Sequence, residues 1–130
     1  MHSSVFVLSF ITCSALGAAL RLGLTQLAKY FFGQAFYATL CVNLLGSACI
    51  GVLYVLLHQA GQWDRNWYLL LVTGLLGSLT TFSGFSLEVA EMLLHKQWGL
   101  ALIYSMSSMF FCVAVTVIAM QLTHLWFAFE

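Results

Sequence analysis

Two phenylalanines three residues apart, Phe82 and Phe85, stand in the run TGLLGSLTTFSGFSLE at 73–88. The same run holds the tandem threonines Thr80 and Thr81, the serines Ser83 and Ser86, and Glu88 one turn beyond Phe85. An aromatic ring has a positive edge, so two rings on one helix face offer an anion a weak contact with no fixed charge. The plainer account is two core phenylalanines among eleven, and spacing alone favours it. The chemistry this set could support is ion coordination. Enzyme chemistry is the reading the residues support least, because no nucleophile–base pair or metal set can be assembled from them.

Three further groups could take part. Asn43 and Thr39 lie four apart, hence on one helix face. They are either a polar stripe along a pore or interhelical hydrogen-bonding glue. Tyr104, Ser108, Cys112 and Thr116 follow at four-residue steps. Each step advances about 400°, giving one slowly winding polar stripe: a hydrogen-bonded seam, or a ladder that hands on a small ion. Arg21 is a cation inside an apolar run, either at a functional site or reaching back to the interface.

The elements that must position these residues are membrane spans. Hydrophobic residues make up 62% of the 130, charged residues 6%, and mean hydropathy is +0.99. A soluble domain carries about 25% charged residues. Four apolar runs, at 5–27, 36–57, 67–94 and 99–127, each meet the roughly 20 residues a helical span needs. The breaks KYFFGQ, HQAGQWDRN and HKQW are short, so residues 1–130 read as one all-α membrane domain of four helices. The third run is the exception. Its glycines Gly74, Gly77 and Gly84 and its hydroxyls weaken a helix at a depth where each freed backbone group costs several kcal/mol unless protein satisfies it. Halves of about ten residues place the predicted break near the midplane, where transporters and channels build ion sites from unwound carbonyls.

The remaining features narrow the choice. Net charge is zero and no basic tract exists to hold nucleic acid. The N-terminal run lacks a basic leader and reads as a first span rather than a signal peptide. The four cysteines fall in spans without metal-like spacing and read as buried, free thiols. The four histidines sit at span ends. Small residues Ala15, Ala19 and Gly23 predict a close helix–helix seam. Arg65 on one side against Lys29, Lys96 and the deeper Arg21 on the other is a weak bias, compatible with insertion in both orientations.

Taken together, the motifs resemble the CrcB/Fluc family of small fluoride channels over the whole chain. Gly17-Ala18-Ala19-Leu20-Arg21 matches the family's G-A-x-x-R, and Thr39-Leu40-x-x-Asn43 with Gly46 matches its T-L-x-x-N-x-x-G. Thr73-Gly74-x-x-Gly77 and Thr80-Thr81-Phe82-Ser83-x-Phe85-Ser86 match the family's long third-span motif. The chain departs from the pattern at Ala38, Ser78, Gly84 and Cys112.

The resemblance implies an antiparallel dual-topology homodimer in a bacterial inner membrane, surrounded by lipid, with two fluoride pores. It implies one structural sodium ion (Na+) held by the backbone carbonyls of Gly77 and Thr80. Phe82, Phe85 and Asn43 would contact fluoride. Thr39, Ser83, Tyr104, Ser108, Thr116 and Glu88 would complete the track, and Arg21 would draw anions into a vestibule. The role implied is passive export of fluoride. Some family members pair as heterodimers of fixed orientation, a second arrangement. A proton-coupled dual-topology exporter using Glu88 is the alternative from another class, but such exporters need an acidic residue in the first span, and residues 5–27 contain none.

Overall fold

The computed structural model describes residues 3–59 and 65–129. His2 and the centre of the second polar break, residues 60–64, lie outside the described residues. Helices α1 (Ser3–Phe32), α2 (Ala35–Gln59) and α6 (Trp98–Ala128) are uninterrupted. Between α2 and α6 the chain passes through α3 (Arg65–Tyr68), a π-helical stretch Leu69–Leu76, α4 (Gly77–Leu79) and α5 (Phe82–Leu94). Four stretches are long and apolar enough to cross a membrane: Ser3–Phe32, Ala35–His58, Arg65–Leu94 and Trp98–Ala128. The fold is all-α, with no strand among the described residues.

The helices overrun the apolar runs. α1 continues through Lys29, Tyr30, Phe31 and Phe32, which the sequence suggested as a polar break, because polarity does not end a helix. Gly33 ends it: at φ 73° it adopts the left-handed conformation, and its N–H reaches back to the Lys29 carbonyl at 2.8 Å. α5 closes similarly, with the Gln97 N–H on the Met92 carbonyl at 2.8 Å and the Lys96 N–H on that of Leu93 at 3.0 Å. There the left-handed residue is Lys96, φ 59°, at a position glycine usually fills.

Large apolar side chains point outward. Leu8, Ile103 and Phe110 are each about two-thirds exposed, and α6 presents Phe111, Ile118 and Leu122 as well. In water such a surface would drive aggregation, whereas lipid solvates it. Packing inside follows two clusters. Val42, Leu76 and Leu79 join Leu24, Ile50 and Leu53, while Met92, Ala101 and Tyr104 join Phe36, Leu40, Phe85 and Val89. In lipid such contacts, rather than water expulsion, hold helices together.

The seam between α1 and the third crossing is not the stripe suggested by spacing. Ala15, Ala19 and Gly23 are exposed, and nothing lies within 4 Å of a Cβ built on Gly23. α1 is instead turned so that Phe10 and Cys13 meet Gly74, and Gly17 lies against the Leu75 carbonyl and Ser78. A Cβ on Gly17 would collide with that carbonyl, so the approach requires glycine. The cysteines are less buried than the sequence suggested. All four are free, but Cys13, Cys41 and Cys112 are only half-buried and Cys49 is exposed on α2.

Candidate functional site

Thr80 (φ −78°, ψ 157°) and Thr81 (φ −145°, ψ 118°) are extended, and the site is built around them. Leaving helical geometry strands backbone groups, and neighbouring side chains take them up. The Thr80 N–H and hydroxyl both donate to the Leu76 carbonyl, at 2.9 and 3.0 Å. The Thr81 N–H donates to Asn43 Oδ1 at 2.9 Å, and the Thr81 carbonyl accepts from Asn43 Nδ2 at 3.1 Å. Asn43 thus pairs with one backbone unit as a neighbouring strand would, with its second Nδ2 hydrogen left over. Thr81 Oγ1 accepts from the Gly84 N–H at 3.0 Å and so caps α5.

This exchange frees two carbonyls. In a continuous helix the Gly77 carbonyl would receive the Thr81 N–H, which goes to Asn43, and the Thr80 carbonyl would receive the Gly84 N–H, which goes to the Thr81 hydroxyl. Gly46 makes the arrangement possible from α2. A Cβ there would collide with Cγ2 of Thr80.

Beside the two threonines lies a cavity of about 630 Å³. Asn43, Thr80, Phe82, Phe85, Ser108 and Cys112 are among its lining residues, and among the described residues no charged side chain is. The rings of Phe82 and Phe85 are 5.6 Å apart between centroids, and Phe85 continues to Tyr104 at 5.2 Å. Phe82 is 79% exposed although it lines the cavity, so within one chain this wall is open on one side. Ser108 is buried, and its hydroxyl oxygen has no hydrogen-bond partner among the described residues.

Behind Phe85 is a second polar cluster. Thr39 donates to one carboxylate oxygen of Glu88 at 2.6 Å, and the Tyr104 hydroxyl donates to the other at 2.7 Å. Both donors are buried. The carboxylate therefore enters the bundle with hydrogen bonds on both oxygens, which offsets its loss of water.

Comparison with known proteins decides the family. The family described as CrcB-like protein, Camphor Resistance (CrcB), matches residues 8–120. The chain belongs to this family. A protein of Haemophilus influenzae (strain PittGG) named fluoride-specific ion channel FluC is 44% identical over 112 residues, covering 85% of this chain and 88% of the relative. Bearers of the same name in Pasteurella multocida and Mannheimia succiniciproducens are 38% and 37% identical, over 87% and 85% of this chain and 88% and 87% of their own length. Four apolar crossings and this membership make the chain a multi-pass membrane protein and not an enzyme.

The structure sorts the sequence candidates into groups. Asn43, Gly77, Thr80, Phe82, Phe85 and Ser108 meet at the cavity. Thr39, Glu88 and Tyr104 form the adjoining cluster. Ser83 is exposed beside the Thr81 hydroxyl at 3.2 Å. Thr116 lies between α2 and α6, its hydroxyl 3.0 Å from the carbonyls of both Ser47 and Cys112. Arg21 is half-buried on α1, away from the cavity lining. The polar stripe of α6 is thus divided among three environments.

Sequence reasoning missed Gly46 as a spacer and Met106 and Met109 as cavity residues; helical spacing from Ser105 and Cys112 was the available signal. The departures from the family motif fall in different places. Ala38 is fully buried, Ser78 faces Gly17, Gly84 packs beneath the Thr81 cap, and Cys112 faces the cavity.

Proposed function

We propose that two copies of this chain, inserted antiparallel in a bacterial inner membrane, form a channel through which fluoride leaves the cell passively, relieving its toxicity. The observation that carries the reading is the uncharged cavity with the unpartnered Ser108 hydroxyl in its wall. The names of the relatives point the same way.

Fluoride is small and strongly hydrated, so a selective path must replace its water with several donors in a narrow space. Asn43 contributes its spare amide hydrogen, Ser108 and Ser83 their hydroxyls, and Phe82 and Phe85 their ring edges. None carries a charge that would trap the anion. Thr39 and Tyr104 reach fluoride by releasing Glu88, so the carboxylate competes with the ion for the same protons and keeps it moving. Thr116 extends the track along α6, and Arg21 raises the local anion concentration at the mouth. A carrier role for Glu88 in proton-coupled export fits less well, because both carboxylate oxygens are engaged.

The second copy follows from what one chain leaves open. Phe82 is 79% exposed and the stripe Ala15, Ala19, Gly23 is uncovered, which suits close approach of another chain. The freed carbonyls of Gly77 and Thr80 are hard oxygen ligands, and pairing two chains would supply four, a set that fits a sodium ion. Bound there, sodium would satisfy the lone pairs of carbonyls that have lost their helical N–H partners. A heterodimer is the other arrangement, and the chain purified alone separates the two.

The test is efflux from liposomes containing only this chain. Fluoride release with chloride retained is expected, and Phe82→Ile slows release without lowering the unfolding temperature. A folded dimer that releases no fluoride would sink the homodimeric reading. Unchanged flux in Phe82→Ile would remove that ring from the path.

A further inference from the structure

Three sulfur-bearing side chains of α6, Met106, Met109 and Cys112, line the same cavity. They follow at steps of three, so each is about 5–6 Å from the next between Cβ atoms, with Met109 between the other two. Met106 and Met109 are more than half exposed, and Cys112 is half-buried. Of the free cysteines, Cys13, Cys41 and Cys49 are not among the cavity's lining residues, whereas Cys112 is. The methionine side chain has three rotatable bonds, which lets thioethers on one helix face converge on a common point. A second observation is independent of the sulfurs. Ser108, at 8% exposure, lies within the same stretch and lines the same cavity, and its buried oxygen has no partner among the described residues.

We infer that this wall of the cavity is a binding site for a soft monovalent cation of the copper(I) and silver(I) class, held by the Cys112 thiolate and the Met106 and Met109 thioethers, and that its occupancy closes the cavity to anions. Thiolate and thioether sulfur select soft ions over sodium, magnesium or calcium, which prefer oxygen. The thiol transfers its proton to water as the sulfur–metal bond forms, and no electron changes hands. The Ser108 oxygen then faces a cation. The metal lies across the space between α6 and the Phe82–Phe85 pair, so an anion meets an ion-paired plug in place of a hydroxyl ladder.

The closure rests on the channel reading, whereas the binding does not, and the experiment keeps them apart. Silver nitrate is titrated into chloride-free proteoliposomes loaded with fluoride, each variant being normalised to its own silver-free rate. Silver binding to purified protein is counted separately by intact-protein mass spectrometry. Wild type is expected to bind one silver ion per chain at this site and to lose fluoride flux. Cys112→Ser should raise the half-blocking silver concentration by about tenfold or more, with smaller shifts for Met106→Leu and Met109→Leu. The triple variant Cys13→Ala, Cys41→Ala, Cys49→Ala should still bind one silver ion, and it covers the case in which Cys112→Ser fails to fold. Equal silver sensitivity in Cys112→Ser overturns the site, and so does a triple variant that binds none. Leucine variants that match wild type overturn the three-sulfur geometry. Absent flux before silver is added counts against the channel and leaves the mass measurement to decide the site.

Discussion

The broken crossing, Arg65–Leu94, and the unbroken α6 both carry hydroxyls at short spacing, and what differs is whether the backbone depends on them. In the first, Thr80 and Thr81 turn their hydroxyls onto the backbone, and Asn43 of α2 takes up both backbone polar groups of Thr81. In α6 the backbone ladder is continuous: Ser105, Thr116 and Thr123 donate back to carbonyls four residues earlier without breaking it, and other hydroxyls reach away from the helix. Tyr104 reaches Glu88, Thr116 bridges to α2, and Ser108 is unpartnered. A polar residue beside a break is therefore first a structural element and only secondarily a binding group. On an intact helix the order reverses.

The largest test of that contrast is Asn43→Leu. It leaves the Thr81 N–H and carbonyl unsatisfied, at about 1–3 kcal/mol each. The unfolding temperature in detergent should fall further than for any change in α6, and fluoride flux should vanish. An unshifted melt would show that α2 does not hold the break.

Next is Gly46→Ala, whose Cβ meets the Thr80 methyl, with an overpacking cost of about 1–3 kcal/mol. Adding Thr80→Ser removes the methyl and keeps the hydroxyl on Leu76, so the double variant should regain most of the loss. Additive costs would place the strain elsewhere. Gly99→Ala, near the start of α6 with open space around it, should be neutral in the same assay.

Smaller still is the pair Ser108→Ala and Thr116→Val. Thr116 makes an interhelical bond, so Thr116→Val should cost about 0.6–1 kcal/mol. Ser108→Ala removes a buried hydroxyl without a partner and should leave the melt unchanged or slightly raised while slowing flux. A clear destabilisation by Ser108→Ala would mean that the intact helix also uses its hydroxyls structurally.

The smallest change joins the two crossings. Lys96→Gly relieves a left-handed lysine between α5 and α6 and should stabilise by about 1 kcal/mol with flux unaltered, read from melt and efflux together.

Composition makes the four crossings legible, because nothing but lipid tolerates so many exposed leucines and phenylalanines. Within one element, spacing carries information too: Phe82 and Phe85 share a face, as do Ser108 and Cys112. Pairings across elements leave no such mark. Thr39 and Glu88 are 49 residues apart, and Asn43 and Thr81 are 38, so only the packed bundle brings them together. The stripe at Ala15, Ala19 and Gly23 is uncovered within one chain, because small residues permit close contact without saying which chain supplies it. Gly17, which makes the contact, differs from its neighbours only in the direction it faces. The π-helical stretch Leu69–Leu76 carries no pattern that separates it from an ordinary apolar helix.

The length of α1 has a mechanical consequence. Thirty residues span about 45 Å, well beyond a hydrocarbon core of about 30 Å. Tyr30 and Phe31, exposed at its end beside Lys29, would sit among headgroups, and a thinner bilayer would be met by tilt. α1 cannot tilt independently, because Gly17 is seated on the Leu75 carbonyl, two residues ahead of Gly77. Membrane thickness thus acts as a lever with its fulcrum next to the proposed ion site. Efflux compared across lipids of increasing acyl-chain length should vary in step, and a flat response would show that the fulcrum slips.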